Sequence, residues 1–168
     1  MGKFDDSLKD GQHKLLSGIS GQWQGTARTW FEGDDPVDES PIAGTIRSIL
    51  EGRFALHEYA STFQGKPLSG MAIYGYDLRH NQWQSVLIDS FHMSTGIMFL
   101  QGNSTNEIAF TGTYASLEPE PQHWGWRIEL KQDDPDHLQI TSYNITPAGE
   151  SARAVEIDYK RLKVEPAN

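Results

Sequence analysis

The sequence predicts an all-β fold, an up-and-down antiparallel β-barrel of about ten strands with a short N-terminal helix. Three observations carry this expectation. Apolar residues alternate with a period of two from residue 21 almost to the C-terminus, the spacing of half-buried strands. Groups of Gly, Pro, Asn and Asp divide the alternation into segments of strand length. The connections are too short to hold a crossover helix, which argues for antiparallel neighbours and against a parallel sheet. So many consecutive hairpins leave exposed edges unless the sheet closes, which favours a barrel over the alternative, a sandwich.

The helix comes first. Leu8, Leu15, Leu16 and Ile19 have rough helical spacing, and Ser7-x-x-Asp10 offers a cap at the start. Gly11 weakens its middle and Gly18 ends it. Strands are then expected over residues 21–31, 42–50, 54–64, 68–77, 82–89, 96–102, 107–115, 124–132, 137–146 and 150–162. Their turns include Glu51-Gly52, Gln64-Gly-Lys-Pro67 and Asp133-Asp-Pro-Asp136. Residues 1–6 and 164–168 fall outside the pattern and are expected to be flexible ends of one domain spanning 1–168.

Composition narrows the function. With 168 residues and no cysteine, the chain relies on one continuous apolar interior rather than on disulfides or thiolate-bound metal. Lys and Arg number 14 against 23 Asp and Glu, a formal charge of −9. That balance argues against nucleic acid and against an anionic membrane surface as partners. No apolar run reaches the ~20 residues of a membrane helix, and the Met-Gly-Lys-Phe start has no leader-like apolar core. A cytoplasmic protein is expected. The six histidines are scattered without H-x-x-x-H or H-E-x-x-H spacing, so no metal site is expected.

Alternation also assigns faces. Trp23, Gly25, Ala27, Thr29 and Phe31 share one face of the first strand; Ile108, Phe110, Gly112 and Tyr114 share one in the seventh. Trp124, Trp126, Ile128 and Leu130 share one in the eighth. In the last strand Val155, Ile157 and Tyr159 point inward and carry Arg153 and Arg161 with them. Gly and Ala among inward aromatics leave space, so the interior is expected to hold a ligand.

The ligand-binding candidates are His57, Glu58, Asp89, Phe110, Tyr114, Trp126, Arg127, Arg153 and Tyr159. His57 and Glu58 are adjacent, so only one faces inward. Glu58 does if Phe54, Leu56 and Ala60 do; His57 does if Ala55, Tyr59 and Phe63 do. An inward Glu58 is either a ligand or acid–base group, or the partner of an interior arginine in a structural ion pair. Asp89 breaks its strand in Asp89-Ser-Phe-His92. Buried, it needs a donor or stays protonated, and a ligand role competes with a structural turn, the reading favoured here. Asp77 begins Asp77-Leu-Arg-His-Asn81 and reads as a structural turn residue accepting backbone N–H groups.

Gly21-Gln-Trp23 resembles the G-x-W start of lipocalin-type (calycin) barrels. The resemblance implies that Trp23 plugs the closed end and that a basic residue of the last strand, here Arg161, packs over its indole. Both are then structural. Leu16-x-Gly18…Gly21-x-Trp23, Leu50-x-Gly52-Arg-Phe54, Gly70-x-x-x-Tyr74-Gly-Tyr-Asp77 and Trp83-x-Ser85-x-x-Ile88-Asp-Ser90 together resemble a bacterial family labelled domain of unknown function 1579. That family is similar in outline to the nitrobindins, which bind haem, and to fatty-acid-binding barrels, and the match implies fold more firmly than activity. In nitrobindin-like barrels the axial histidine comes from late in the chain. The last strand here has none and His137 sits at a turn, so no cofactor is expected and haem is disfavoured.

The function expected is binding of a small apolar or aromatic molecule in the barrel. One alternative is a cofactor-free enzyme of decarboxylase or cyclase type, with Glu58, Asp89 and Tyr159 as catalytic candidates beside Arg127. Another is a self-associating module, a homodimer formed through exposed aromatics such as Trp30 and Trp83.

Overall fold

Ten antiparallel strands close into a barrel in the computed structural model, which describes residues 2–163. They are β1 (Gly21–Thr29), β2 (Asp38–Ile49), β3 (Phe54–Phe63), β4 (Lys66–Asp77), β5 (Gln82–Asp89), β6 (Met98–Gly102), β7 (Ile108–Ala115), β8 (His123–Asp134), β9 (His137–Ile145) and β10 (Ser151–Arg161). Each pairs with its sequence neighbours, and β10 returns to β1, so the sheet has no free edge. The closing register sets Trp23 opposite Arg161 and Thr29 opposite Val155. Pairing around the ring is uneven: β6 meets β7 only at Leu100 with Gly112 and at Gln101 with Thr111.

Boundaries differ from the sequence reading in several places. Two helices, α1 (Lys3–Asp10) and α2 (Gln12–Gly18), replace the single one, because Gly11 adopts an extended backbone between them. Ser7, expected as a cap, lies inside α1, and its hydroxyl lies 2.8 Å from Nδ1 of His13. The chain is helical from Lys3, where the Gly2 N–H donates to the Asp5 carboxylate at 3.0 Å, rather than loose through residue 6. The other expected loose end, 164–168, lies outside the described residues. β2 begins at Asp38, ahead of Pro41, because residues 38–42 are paired with β1 alone. A strand bonded on one side tolerates a residue without an N–H. β1 in turn ends at Thr29, leaving Phe31 exposed.

The helices cover the barrel end where β1 begins, and that half is solidly packed. Leu16, Ile19, Trp23, Trp83, Phe110, Leu138 and Tyr159 are each at most 2% exposed. Tyr74 stacks on Phe110 with centroids 5.6 Å apart, and Trp83 meets Tyr76 edge-on at 5.0 Å. The indole N–H of Trp23 donates to the Ile19 carbonyl at 3.0 Å. The Arg161 guanidinium lies 4.3 Å from the centre of the Trp23 ring and donates to the carbonyls of Gly18, Ser20 and Pro135. One residue thus stacks on the plug and ties two turns to the last strand.

Trp23→Ala should cost about 3–5 kcal/mol in urea denaturation, the range for a large buried aromatic. Arg161→Lys keeps the charge but loses the planar fork and should cost about 1–2 kcal/mol. A Trp23→Ala loss below about 0.5 kcal/mol, the scale of a surface change, would contradict the plug.

Candidate functional site

The opposite half of the barrel leaves a small space between its inward side chains. A cavity of about 70 Å³ runs from Leu68, Phe63 and Phe91 at the mouth to His57 and Tyr74 at its floor. Its walls include Ile42, Leu87, Trp126, Ile128, Ile140 and Val155. These positions follow from strand parity, since in a closed sheet every second side chain has only the interior to enter. Among the described residues no Lys or Arg lines this cavity, and Asp89 is its one carboxylate.

Parity on β3 decides between the two adjacent polar residues. Ala55, His57 and Tyr59 face inward, and His57 is 1% exposed. Glu58, the other of the two candidates for the interior, lies on the outer face, 3.8 Å from Arg47. His57 sits between two tyrosines, Nδ1 2.9 Å from the Tyr74 hydroxyl and Nε2 3.0 Å from that of Tyr159. Gly44 of β2 makes room for this contact. A Cβ there would fall 2.2 Å from the Tyr159 hydroxyl and 3.1 Å from Nε2 of His57.

Burial lowers the His57 pKa to about 3, so the ring is neutral near pH 7. Burial pushes both tyrosine hydroxyls well above their ordinary value. A neutral imidazole has one N–H and one bare nitrogen. One tyrosine therefore donates to His57, while the other accepts its N–H and keeps a hydroxyl proton that has no acceptor among the described residues.

At the mouth, Asp89 ends β5 with its side chain only 3% exposed. Its Oδ1 accepts the backbone N–H groups of Phe91, His92 and Met93, and its Oδ2 lies 2.7 Å from Nδ1 of His92. Burial raises the carboxyl pKa, but the bonds from the His92 ring and from the backbone outweigh it, and the net direction is downward. An ionised carboxylate only accepts, so Nδ1 of His92 carries a proton and, in the neutral ring, Nε2 is bare. Tyr59, whose hydroxyl would fall 2.2 Å from a Cβ on Gly70, lines the cavity beside this pair. The Trp126 indole N–H is buried with no partner, and the Trp126 and His92 rings are 5.2 Å apart.

The remaining candidates disperse. Phe110 is in the packed half, against Tyr74. Tyr114 is half-buried and donates to the Asn144 side chain at 2.6 Å. Arg127, expected inward, has the opposite parity to Trp126 and Ile128; it lies outside over the Tyr143 ring, 2.9 Å from Glu129. Arg153, also expected inward, is turned out by a β-bulge between it and Val155, where Ala154 takes the buried position. It stacks on Trp30 and pairs with Glu156 at 3.0 Å. Glu58, Arg127 and Tyr159 are therefore not assembled as a catalytic group. Asp77 accepts from the Arg79 N–H and lies 2.7 Å from Nδ1 of His80, whose hydrogen bond is the main cause holding the Asp77 carboxyl at about 2. Trp30 and Trp83, expected as exposed aromatics of a self-association face, are both buried.

A family model described as "Protein of unknown function (DUF1579)" matches residues 9–161. The chain belongs to the DUF1579 family. A comparison with curated proteins returns no match. Among solved structures, this DUF1579 barrel is similar to Rv2717c from M. tuberculosis, with a TM-score of 0.57 and 14% identity, over 89% of this chain and 96% of that one. It is also similar to the S-type phycobiliprotein lyase CPES from Guillardia theta, with a TM-score of 0.58 and 11% identity, over 98% of this chain and 100% of that one. At these identities the likeness shows a shared lipocalin-like fold.

Sequence reading missed His92, Tyr59 and Tyr74 in the DUF1579 site. For His92 a signal existed: a strand-ending Asp followed three residues later by a His is the spacing of a side-chain-closed turn. Tyr74 meets His57 across the β3–β4 pairing, which the sequence does not spell out.

Because the folded His57 is neutral and the unfolded one takes a proton below about pH 6.5, acid favours unfolding. The contribution is intact above pH 6.5 and is lost as pH falls toward 3. Wild-type stability should fall more steeply than that of His57→Leu, by about 1.4 kcal/mol per pH unit between pH 6 and 4. Parallel slopes in chemical denaturation would show that His57 is not buried neutral. A second expectation concerns the mouth: Asp89→Ala should release the amides of residues 91–93 to fast hydrogen exchange while those of β1–β4 stay protected.

Proposed function

We propose that this protein binds one small, uncharged, mainly apolar molecule in the open half of its barrel. The observation that carries this reading is the Trp126 indole N–H, buried without a partner in the wall of an apolar cavity. An unsatisfied buried donor costs about 1–3 kcal/mol, which an acceptor atom on a guest relieves. With no Lys or Arg among the described residues of the cavity lining, and Asp89 present, a carboxylate guest such as a fatty acid is disfavoured. The cavity of about 70 Å³ is smaller than the roughly 150 Å³ known to hold benzene. A ring-sized guest must therefore displace Phe63 or Phe91, which pack 4.5 Å apart at the mouth.

Native mass spectrometry of protein purified without denaturant should show whether a guest is retained. NMR titration with anisole should shift signals of Trp126 and Ile140, whereas benzoate, of similar size but charged, should leave them in place. Ser142→Leu puts a larger apolar side chain into the same cavity and should abolish the anisole shifts. Equal response to benzoate, or no response to any uncharged ring compound of this size, would defeat the proposal.

A further inference from the structure

The Asp89–His92 pair does more than close a turn. The same arrangement recurs at Asp77 and His80 on the exterior, where His80 is 70% exposed. Closing a turn therefore requires neither a buried carboxylate nor an interior histidine. At Asp89 the aspartate is 3% and the histidine 30% exposed, and both line the cavity. Asp89 holds a proton on Nδ1 of His92, so a ring carrying that proton alone has a bare Nε2, which makes no hydrogen bond among the described residues. Trp126, its ring 5.2 Å away, contributes a buried N–H without a partner. An acceptor and a donor thus belong to neighbouring rings in the cavity lining.

We propose that His92, held by Asp89, reads a hydroxyl group on the guest, so that the ligand class is a neutral phenol or alcohol. A hydroxyl is a neutral group that both donates, here to Nε2 of His92, and accepts, here from the Trp126 N–H. A ketone or ether accepts only and leaves Nε2 unmet. A carboxylate meets no cation and faces Asp89. The two polar groups sit near the mouth, so the hydroxyl lies toward solvent and the apolar body points to the His57 floor. This inference rests on the proposed interior binding and adds the chemistry that selects the guest.

Phenol and anisole separate the two ideas, because methylating the oxygen removes the donor and keeps the acceptor. In calorimetric titrations of the wild-type protein, phenol should bind about tenfold more tightly than anisole. His92→Phe should bring the two within about twofold by weakening phenol alone. Trp126→Phe should weaken both, since both oxygens accept. Equal affinities in the wild type, a comparison that needs no variant to fold, would overturn the role of His92 while leaving interior binding in place. A phenol preference that survives His92→Phe would overturn it as well. Failure of both phenol and anisole to bind would overturn interior binding, and this inference with it.

Discussion

Closure of β1 on β10 is the constraint on which the rest of the molecule depends. A sheet of ten short strands has no reason to keep one face dry until its edges meet. Once they meet, every strand has an inside, and a period of two becomes a division between core and solvent. Arg161 stands at this closure. It lies opposite Trp23 in the register, covers the indole, and reaches carbonyls on both sides of the seam. The glycine at position 25 shows how close the two strands come, since a Cβ there would fall 1.7 Å from the Asp158 carbonyl oxygen.

Closure also separates charge from the interior. Arginines pair with carboxylates on the outer wall, as Arg28 does with Glu39, Arg47 with Glu58 and Arg153 with Glu156. What polar character remains inside is neutral or internally balanced. His57 shares its two nitrogens with two tyrosines, and Asp89 spends its charge on four hydrogen bonds. A buried group satisfied in this way costs little, and it leaves directional bonding sites in an otherwise apolar space. The floor and the mouth differ accordingly: one is deep and holds its ring neutral, the other borders solvent and leaves a nitrogen free.

Much of the strand order was legible because alternation and turn chemistry are local. Trp23 and Arg161 were legible through the G-x-W resemblance. The site was less so, for reasons that can be named. Residues 57 and 58 are adjacent, and a pattern of period two does not say which phase is inner. Arg153 was misassigned because one bulge inverts parity, and an extra residue in a strand leaves no compositional mark. Arg127 has the opposite parity to Trp126 and Ile128, which hold the interior of its strand, so only their phase decides that it faces out. The contact of His57 with Tyr159 joins residues 102 positions apart and exists only after closure. The Asp89 turn lay within one short stretch, and only its relation to Trp126 required the fold.

The sparse pairing between β6 and β7 marks where the ring is held by the fewest ladder bonds. Local opening is cheapest where the fewest ladder bonds must break. The segment leading into β6 is the one whose amides are gathered by Asp89, so latch and weak seam follow one another along the chain. By this count the stretch from the Asp89 turn into β6 is the unit whose opening breaks the fewest ladder bonds. The residence time of anything inside would then be set by the opening rate of this unit, and affinity and exchange speed would be tuned by different residues.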